Sequence, residues 1–260
     1  MFLSPLLNSH FPSYTKNRFK ESVTVFWYNQ EFSQSRFPPG QTVSKACTLI
    51  CLLVAQQISQ TGLLLYDVEK SPEIITIIAE AMIKGNTIHA CIIKKGLISH
   101  PYLSTEEALK FGGKSLELLK EWTFRVFYEK IENCLYQNIS NFLHKWYSAP
   151  RSKNLFMLLI TCGRTILFMF QETTYMVTFF DSHSHSTAEN PNRGLVIAQA
   201  TIDKLEHLCE WYTEDILNKC YNTEANQYEL AFLYPYKSPC CGCNSLCNCG
   251  SHCRNHTHNM

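Results

Sequence analysis

Hydrophobic positions along the chain fall into two rhythms, one of strands and one of helices. "SVTVFWYN" from Ser22 is dense in β-branched and aromatic residues and predicts a strand. "QEFSQSRFPPGQ" interrupts the pattern with Pro38, Pro39 and Gly40. "SKACTLICLLVAQQISQ" is apolar on nearly every side and predicts a buried helix, with Ser44 as its N-cap and Cys47 in its first turn. A second helix is predicted from Ser71, with Pro72 at its first position and Gly85-Asn86 at its close. Ser104 and Glu107 have the Ser-x-x-Glu spacing of a capping box at the head of a third. "WTFRVFYEKI" from Trp122 predicts a strand, and "NCLYQNISNFLHKWYS" from Asn133 a helix.

Residues 155–161, 165–171 and 175–180 predict three strands joined by Cys162-Gly163-Arg164 and Glu172-Thr173-Thr174. Links this short make an antiparallel meander. Its strands are apolar on both faces, so the sheet should be central and covered on both sides. "TIDKLEHLCEWYTEDILNKCY" from Thr201 predicts an amphipathic helix and "QYELAFLYPY" from Gln227 a last strand. Helices followed by an antiparallel sheet give an α+β fold. Residues 1–20 lack a period and read as a loose N-terminal arm. The folded body spans 21–236 and a Cys/His-rich tail fills 237–260.

Composition narrows the classes. Apolar residues make up 45% and charged residues 17%, a globular composition rather than a disordered one. With 23 basic and 22 acidic residues the net charge is +1, which gives no reason to expect nucleic acid as a partner. No apolar run approaches the roughly 20 residues of a membrane helix, so no transmembrane segment is expected. The first residues lack the charged start of a signal peptide. An intracellular location, cytoplasmic or nuclear, follows, and with it an expectation against disulfides despite 13 cysteines.

The chemistry starts where "YMVTFF" stops at Asp181-Ser182-His183-Ser184-His185. An acid beside a histidine at a strand end can fix the imidazole's tautomer and stabilise its charge. A histidine so held can deprotonate a thiol. Cys47, at a helix start where the macrodipole favours a thiolate, is the matching nucleophile. Gln34 and Gln41, both upstream of Cys47, are candidates to receive an oxyanion together with the Cys47 backbone N–H. In a rival reading, Asp181, His183 and His185 hold a metal, since the alternation puts the two histidines on one side.

"LLITCGRTILFMFQETTYMVTFFDSHSHS" resembles the core of the herpesvirus large tegument protein deubiquitinase domain and its cellular relatives. "FSQSRFPPGQTVSKACTLICLL" is similar to that family's nucleophile region, and "NRGLVIAQATIDKLEHLCEWY" and "QYELAFL" to its closing segments. The resemblance covers residues 153–235 well, 25–60 less closely and 65–150 hardly at all. It implies a papain-like fold, with the Cys on a buried helix packed on the central sheet. It also implies cleavage of ubiquitin or ubiquitin-like conjugates by Cys47, His183 and Asp181. It favours Gln34 over Gln41 for the oxyanion, leaves His185 outside the catalytic pair and requires no cofactor. Where the family has Gln just before its Cys, this chain has Ala46. The alternative is a catalytically inactive pseudoprotease that serves as a protein-binding module.

The tail carries Cys240, Cys241, Cys243, Cys247, Cys249 and Cys253 with His252, His256 and His258. Three readings stay open. Zinc can be held by a subset of Cys243, Cys247, Cys249, Cys253 and His256. Acylation of Cys240, Cys241 and Cys243 would give peripheral membrane association. A low-complexity tail needs neither.

Overall fold

A computed structural model describes residues 11–236. Strands β1 (Tyr14–Phe19) and β2 (Val23–Asn29) come first, then helices α1 (Cys47–Thr61), α2 (Glu73–Lys94) and α3 (Thr105–Gly112). Strand β3 (Leu119–Phe127) and helix α4 (Ile131–Ser148) follow. The meander is β4 (Asn154–Thr161), β5 (Arg164–Gln171) and β6 (Met176–Asp181). The chain closes with β7 (Arg193–Thr201), α5 (Leu205–Trp211) and β8 (Tyr228–Pro235). The strands form one sheet in the order β1-β2-β7-β6-β5-β4-β8-β3, with every neighbouring pair antiparallel. The expected α+β architecture is thus present.

The double-sided apolar pattern of the meander has a direct structural reason. Phe156, Leu158, Leu167, Met169 and Phe180 pack into one core with residues of α1, α2 and α3. Their strand neighbours Leu155, Met157, Phe168 and Phe179 pack into a second core with α4 and α5. Successive side chains of a strand point to opposite faces, so a sheet between two helical layers is apolar at every position.

Four local expectations are corrected. Residues 14–19, read as part of a loose arm, pair with β2 from Tyr14↔Tyr28 to Phe19↔Val23. β1 is an edge strand with mostly exposed side chains, so the backbone ladder forms it and no hydrophobic alternation betrays it. The second helix does not end at Gly85 but runs to Lys94. A Cβ at Gly85 would lie 2.7 Å from Ile50 Cγ1, so this glycine permits close packing of α2 on α1. Ser44 does not cap α1: Ala46 occupies the N-cap position, with no side-chain cap bond. The segment expected to be helical from Thr201 begins its α-helix at Leu205 and continues as a π-helical stretch over Tyr212–Cys220. Ahead of it, residues 193–201 form β7, a strand inserted between β2 and β6.

Candidate active site

α1 lies across β5 and carries Cys47 as its first residue. Hydrogen bonds fix its start to the sheet. Thr48 Oγ1 donates to the Leu103 carbonyl at 3.0 Å and lies 2.8 Å from Thr165 Oγ1. Cys51 Sγ is 3.5 Å from the Thr165 carbonyl. The Ala46 cap offers no side-chain acceptor to the first turn, so the opening N–H groups of α1 keep their electropositive character beside Cys47.

Asp181 is the last residue of β6, paired with Val196 of β7. It continues the series Val177 and Phe179, whose side chains belong to the second core, and its own side chain is fully buried. Its Oδ1 accepts from the His183 backbone N–H at 3.0 Å and from His183 Nδ1 at 2.6 Å. That bond places the Nδ1 proton on the carboxylate side and leaves Nε2 for the thiol.

The electrostatic balance couples all three groups. Burial alone would raise the Cys47 thiol, but hydrogen bonding and charge from His183, with help from Thr165, hold it below the ordinary thiol value. Burial likewise works against a charged His183. The Asp181 carboxylate and then Cys47 outweigh it and lift the imidazole from 6.5 to about 9. Burial would raise Asp181, yet His183 and His185 hold it well below the ordinary carboxylate value. The trio therefore favours a thiolate–imidazolium–carboxylate array. Cys47 is only 3% exposed, so the array is almost wholly withdrawn from solvent.

The two glutamines separate. Gln34 is buried in the connection from β2 to α1. Its backbone N–H donates to the Ser182 carbonyl at 2.8 Å and its Oε1 accepts from Ser182 Oγ at 2.7 Å. With the amide oxygen so held, Nε2 is turned to the Ser44 carbonyl at 3.2 Å, three residues ahead of Cys47. Asn86 of α2 completes the brace, donating to the Gln34 carbonyl at 3.1 Å and accepting from Ser44 Oγ at 2.7 Å. Gln41 instead donates to the Val43 carbonyl at 2.7 Å, within its own loop.

His185 is no bystander in this geometry. Its ring is buried, with Nδ1 2.8 Å from the Gly194 carbonyl and Nε2 3.0 Å from Asp181 Oδ2. Tyr221 Oη donates to Asp181 Oδ2 at 3.1 Å and lies 2.8 Å from His185 Nε2. The metal reading of Asp181, His183 and His185 finds no support in this arrangement. Each imidazole turns a nitrogen onto a different oxygen of one carboxylate, so their lone pairs do not converge. Among the described residues no group of His, Cys, Asp and Glu is arranged to hold a metal. The tail positions Cys240, Cys241, Cys243, Cys247, Cys249, Cys253 and His256 lie outside the described residues.

Several contacts around these residues carry no signal in sequence. Ser182 reads as a spacer between Asp181 and His183, and Tyr221 follows its helix with nothing to mark it. Thr165 looks like an ordinary strand threonine. Only the sheet order, which brings the start of β5, the end of β6 and the start of β7 to one end, makes them neighbours.

No family model matches the chain, and no curated protein matches it significantly in sequence. Among solved structures, it is similar to the ubiquitin-specific protease encoded by murine cytomegalovirus tegument protein M48, solved in complex with a ubiquitin-based suicide substrate. The likeness covers 83% of this chain and 88% of that one, at 13% sequence identity and a TM-score of 0.49.

Proposed function

We propose that the protein is a cysteine hydrolase that cleaves ubiquitin or ubiquitin-like conjugates. The observation that carries the chemistry is the His183–Asp181 bond of 2.6 Å, together with a buried Cys47 thiol held below its ordinary value by His183. The substrate class rests on the resemblance of residues 153–235 and 25–60 to a deubiquitinase family.

The Cys47 thiolate attacks the scissile carbonyl carbon, and the carbonyl π electrons move onto oxygen. Gln34 Nε2 and the Cys47 backbone N–H receive that charge. Collapse of the tetrahedral adduct breaks the C–N bond, and His183 Nε2 delivers its proton to the leaving amine. A thioester remains on Cys47. Water then attacks it as His183 takes one of its protons, and collapse expels the Cys47 thiolate and restores the thiolate–imidazolium pair, while the released carboxylic acid gives its remaining proton to solvent. Asp181 keeps the imidazole in the tautomer that both steps need. No step calls for a metal or cofactor.

The near-complete burial of Cys47 favours a second reading, a pseudoprotease that keeps the fold and binds a partner without turnover. A ubiquitin probe with a C-terminal electrophile separates the two. The hydrolase reading expects a covalent adduct on the wild type and none on Cys47→Ala. Binding of ubiquitin without any adduct, over hours and across pH 6–9, would establish the binding module instead.

A further inference from the structure

The hydrolase reading leaves unused the two groups that meet the far oxygen of Asp181. We propose that His185 and Tyr221 are positioning residues for the reaction, holding Asp181 Oδ2 so that Oδ1 stays aligned on His183. The inference rests on the Cys47–His183–Asp181 chemistry above and goes beyond it.

The carboxylate divides its oxygens between two tasks. Oδ1 takes both of its donors from His183, the ring at 2.6 Å and the backbone N–H at 3.0 Å. Oδ2 meets His185 Nε2 at 3.0 Å and Tyr221 Oη at 3.1 Å. The Asp181 side chain is fully buried, so rotation about its Cβ–Cγ bond is governed by these partners rather than by bulk solvent. Removing the grip on Oδ2 frees the carboxylate plane to turn, and the His183 ring turns with it.

Both positioning groups are themselves anchored from elements distant in sequence. His185 Nδ1 meets the Gly194 carbonyl at 2.8 Å, and its backbone N–H donates to the Arg193 carbonyl at 3.1 Å. The Gly194 backbone is itself closely hemmed in, since a Cβ there would come within 2.1 Å of the Asn29 carbonyl oxygen and 2.6 Å of that of Phe32. The Trp27 ring from β2 packs edge-on against His185 at 5.5 Å between centroids. Tyr221 carries the Arg164 guanidinium over its ring at 3.6 Å from the centroid. Strands β2, β5 and β7 therefore brace the two side chains that meet one carboxylate oxygen. A loop histidine that only filled space would not need this bracing.

The charged and titratable groups around Asp181 are few. His183 and His185 come from the same connection, Cys51 from α1, and Tyr212, Cys220 and Tyr221 from the helical segment. Arg164 of β5 lies over Tyr221, and Arg193 of β7 lies over Trp27. Of these, His185 and Tyr221 make the hydrogen bonds to Oδ2.

The test reads Cys47 itself and needs no ubiquitin. The full chain is alkylated with iodoacetamide from pH 4 to 10, and the rate at Cys47 is followed by mass spectrometry of its peptide. Wild type, His185→Leu, His185→Gln and Tyr221→Phe are compared. Wild-type Cys47 should react well below the pH of an ordinary thiol. In His185→Leu and Tyr221→Phe the acid limb should move up by about one pH unit, leaving roughly tenfold less thiolate there. His185→Gln retains an amide donor towards Oδ2 and should recover most of the shift. With a conjugate substrate, kcat should fall and KM should hold within about twofold, as expected for a defect in chemistry rather than binding. Alkylation profiles of His185→Leu and Tyr221→Phe that superimpose on wild type would overturn the positioning role. Tyr221→Phe removes a single oxygen, so it decides the matter alone if His185→Leu does not fold. A wild-type Cys47 that reacts like an ordinary thiol would instead refute the hydrolase chemistry. Low-pH reactivity without ubiquitin labelling would remove the substrate class and leave the positioning role intact.

Discussion

A carboxylate with no exposed surface survives at the end of β6 because partners surround it: two donors from His183 on one oxygen, and the Tyr221 hydroxyl with the His185 ring nitrogen at 3.0 Å on the other. Burying a charge without such partners would cost several kcal/mol. The same donors set the working range of the site. His183 holds its proton up to about 9, and Cys47 loses its own below the ordinary thiol value. The thiolate–imidazolium pair exists only between those limits. We expect a bell-shaped kcat/KM with its alkaline limb near pH 9, checked with a fluorogenic conjugate substrate. Asp181→Asn removes the charge that does most to lift His183 against burial. Its alkaline limb should move down, and kcat should fall by about 10²–10⁴-fold, the range for losing acid–base function. An unchanged limb in Asp181→Asn would show that Asp181 does not set the protonation of His183.

At the scale of elements, the position of α1 decides where Cys47 stands. α1 is gripped by α2 through Gly85, where a Cβ would meet Ile50 Cγ1 at 2.7 Å. Gly85→Val must push Ile50 aside, and overpacking of this kind costs about 1–3 kcal/mol. Since the displaced helix carries Cys47, the labelling rate at that thiol should fall along with stability. Shortening the neighbour should couple to it: in Gly85→Val/Ile50→Ala, denaturant unfolding should show a smaller loss than the sum of the single changes. Strict additivity would mean that the close approach at Gly85 does not govern α1. The same glycine marks where sequence patterning stops being informative. Gly85-Asn86 looks like a helix stop because local chemistry cannot report a second helix pressing on that face. The meander was legible because burial on both faces leaves an unbroken apolar run. β1 was not, because an edge strand with exposed side chains shows no alternation. β7 was hidden for a related reason: "RGLVIAQAT" mixes small and apolar residues that suit a helix start equally well.

For the whole molecule, the site lies where the two helical layers meet across one end of the sheet. α1 belongs to the layer that shares the first core, while the π-helical stretch leading to Tyr221 packs on the second. Cys47, Asp181 and His183 stand out as candidates in sequence because each sits in a recognisable local setting. Tyr221 and Gly194 act only through this global arrangement. The arrangement also makes the ion pair a contributor to folding, with a definite sign. His183 is raised from 6.5 to about 9, so its contribution is complete below pH 6.5 and is lost as pH rises through 9. Cys47 is lowered from 9.0, so its contribution is present above pH 9.0 and is lost as pH falls through its folded value. Between pH 6.5 and 9 the two run in opposite directions, and in wild type the thiolate offsets part of the loss at His183. Cys47→Ala removes the offset. His183 remains raised in that variant because Asp181 is the first of the groups lifting it. Urea unfolding from pH 6 to 9 should therefore show Cys47→Ala losing stability more steeply than wild type. Titrating groups outside the array are common to both proteins and cancel in the difference. Parallel curves would mean that Cys47 stays a thiol throughout this range, and the thiolate–imidazolium pair on which the proposed hydrolysis depends would then be absent from the resting protein.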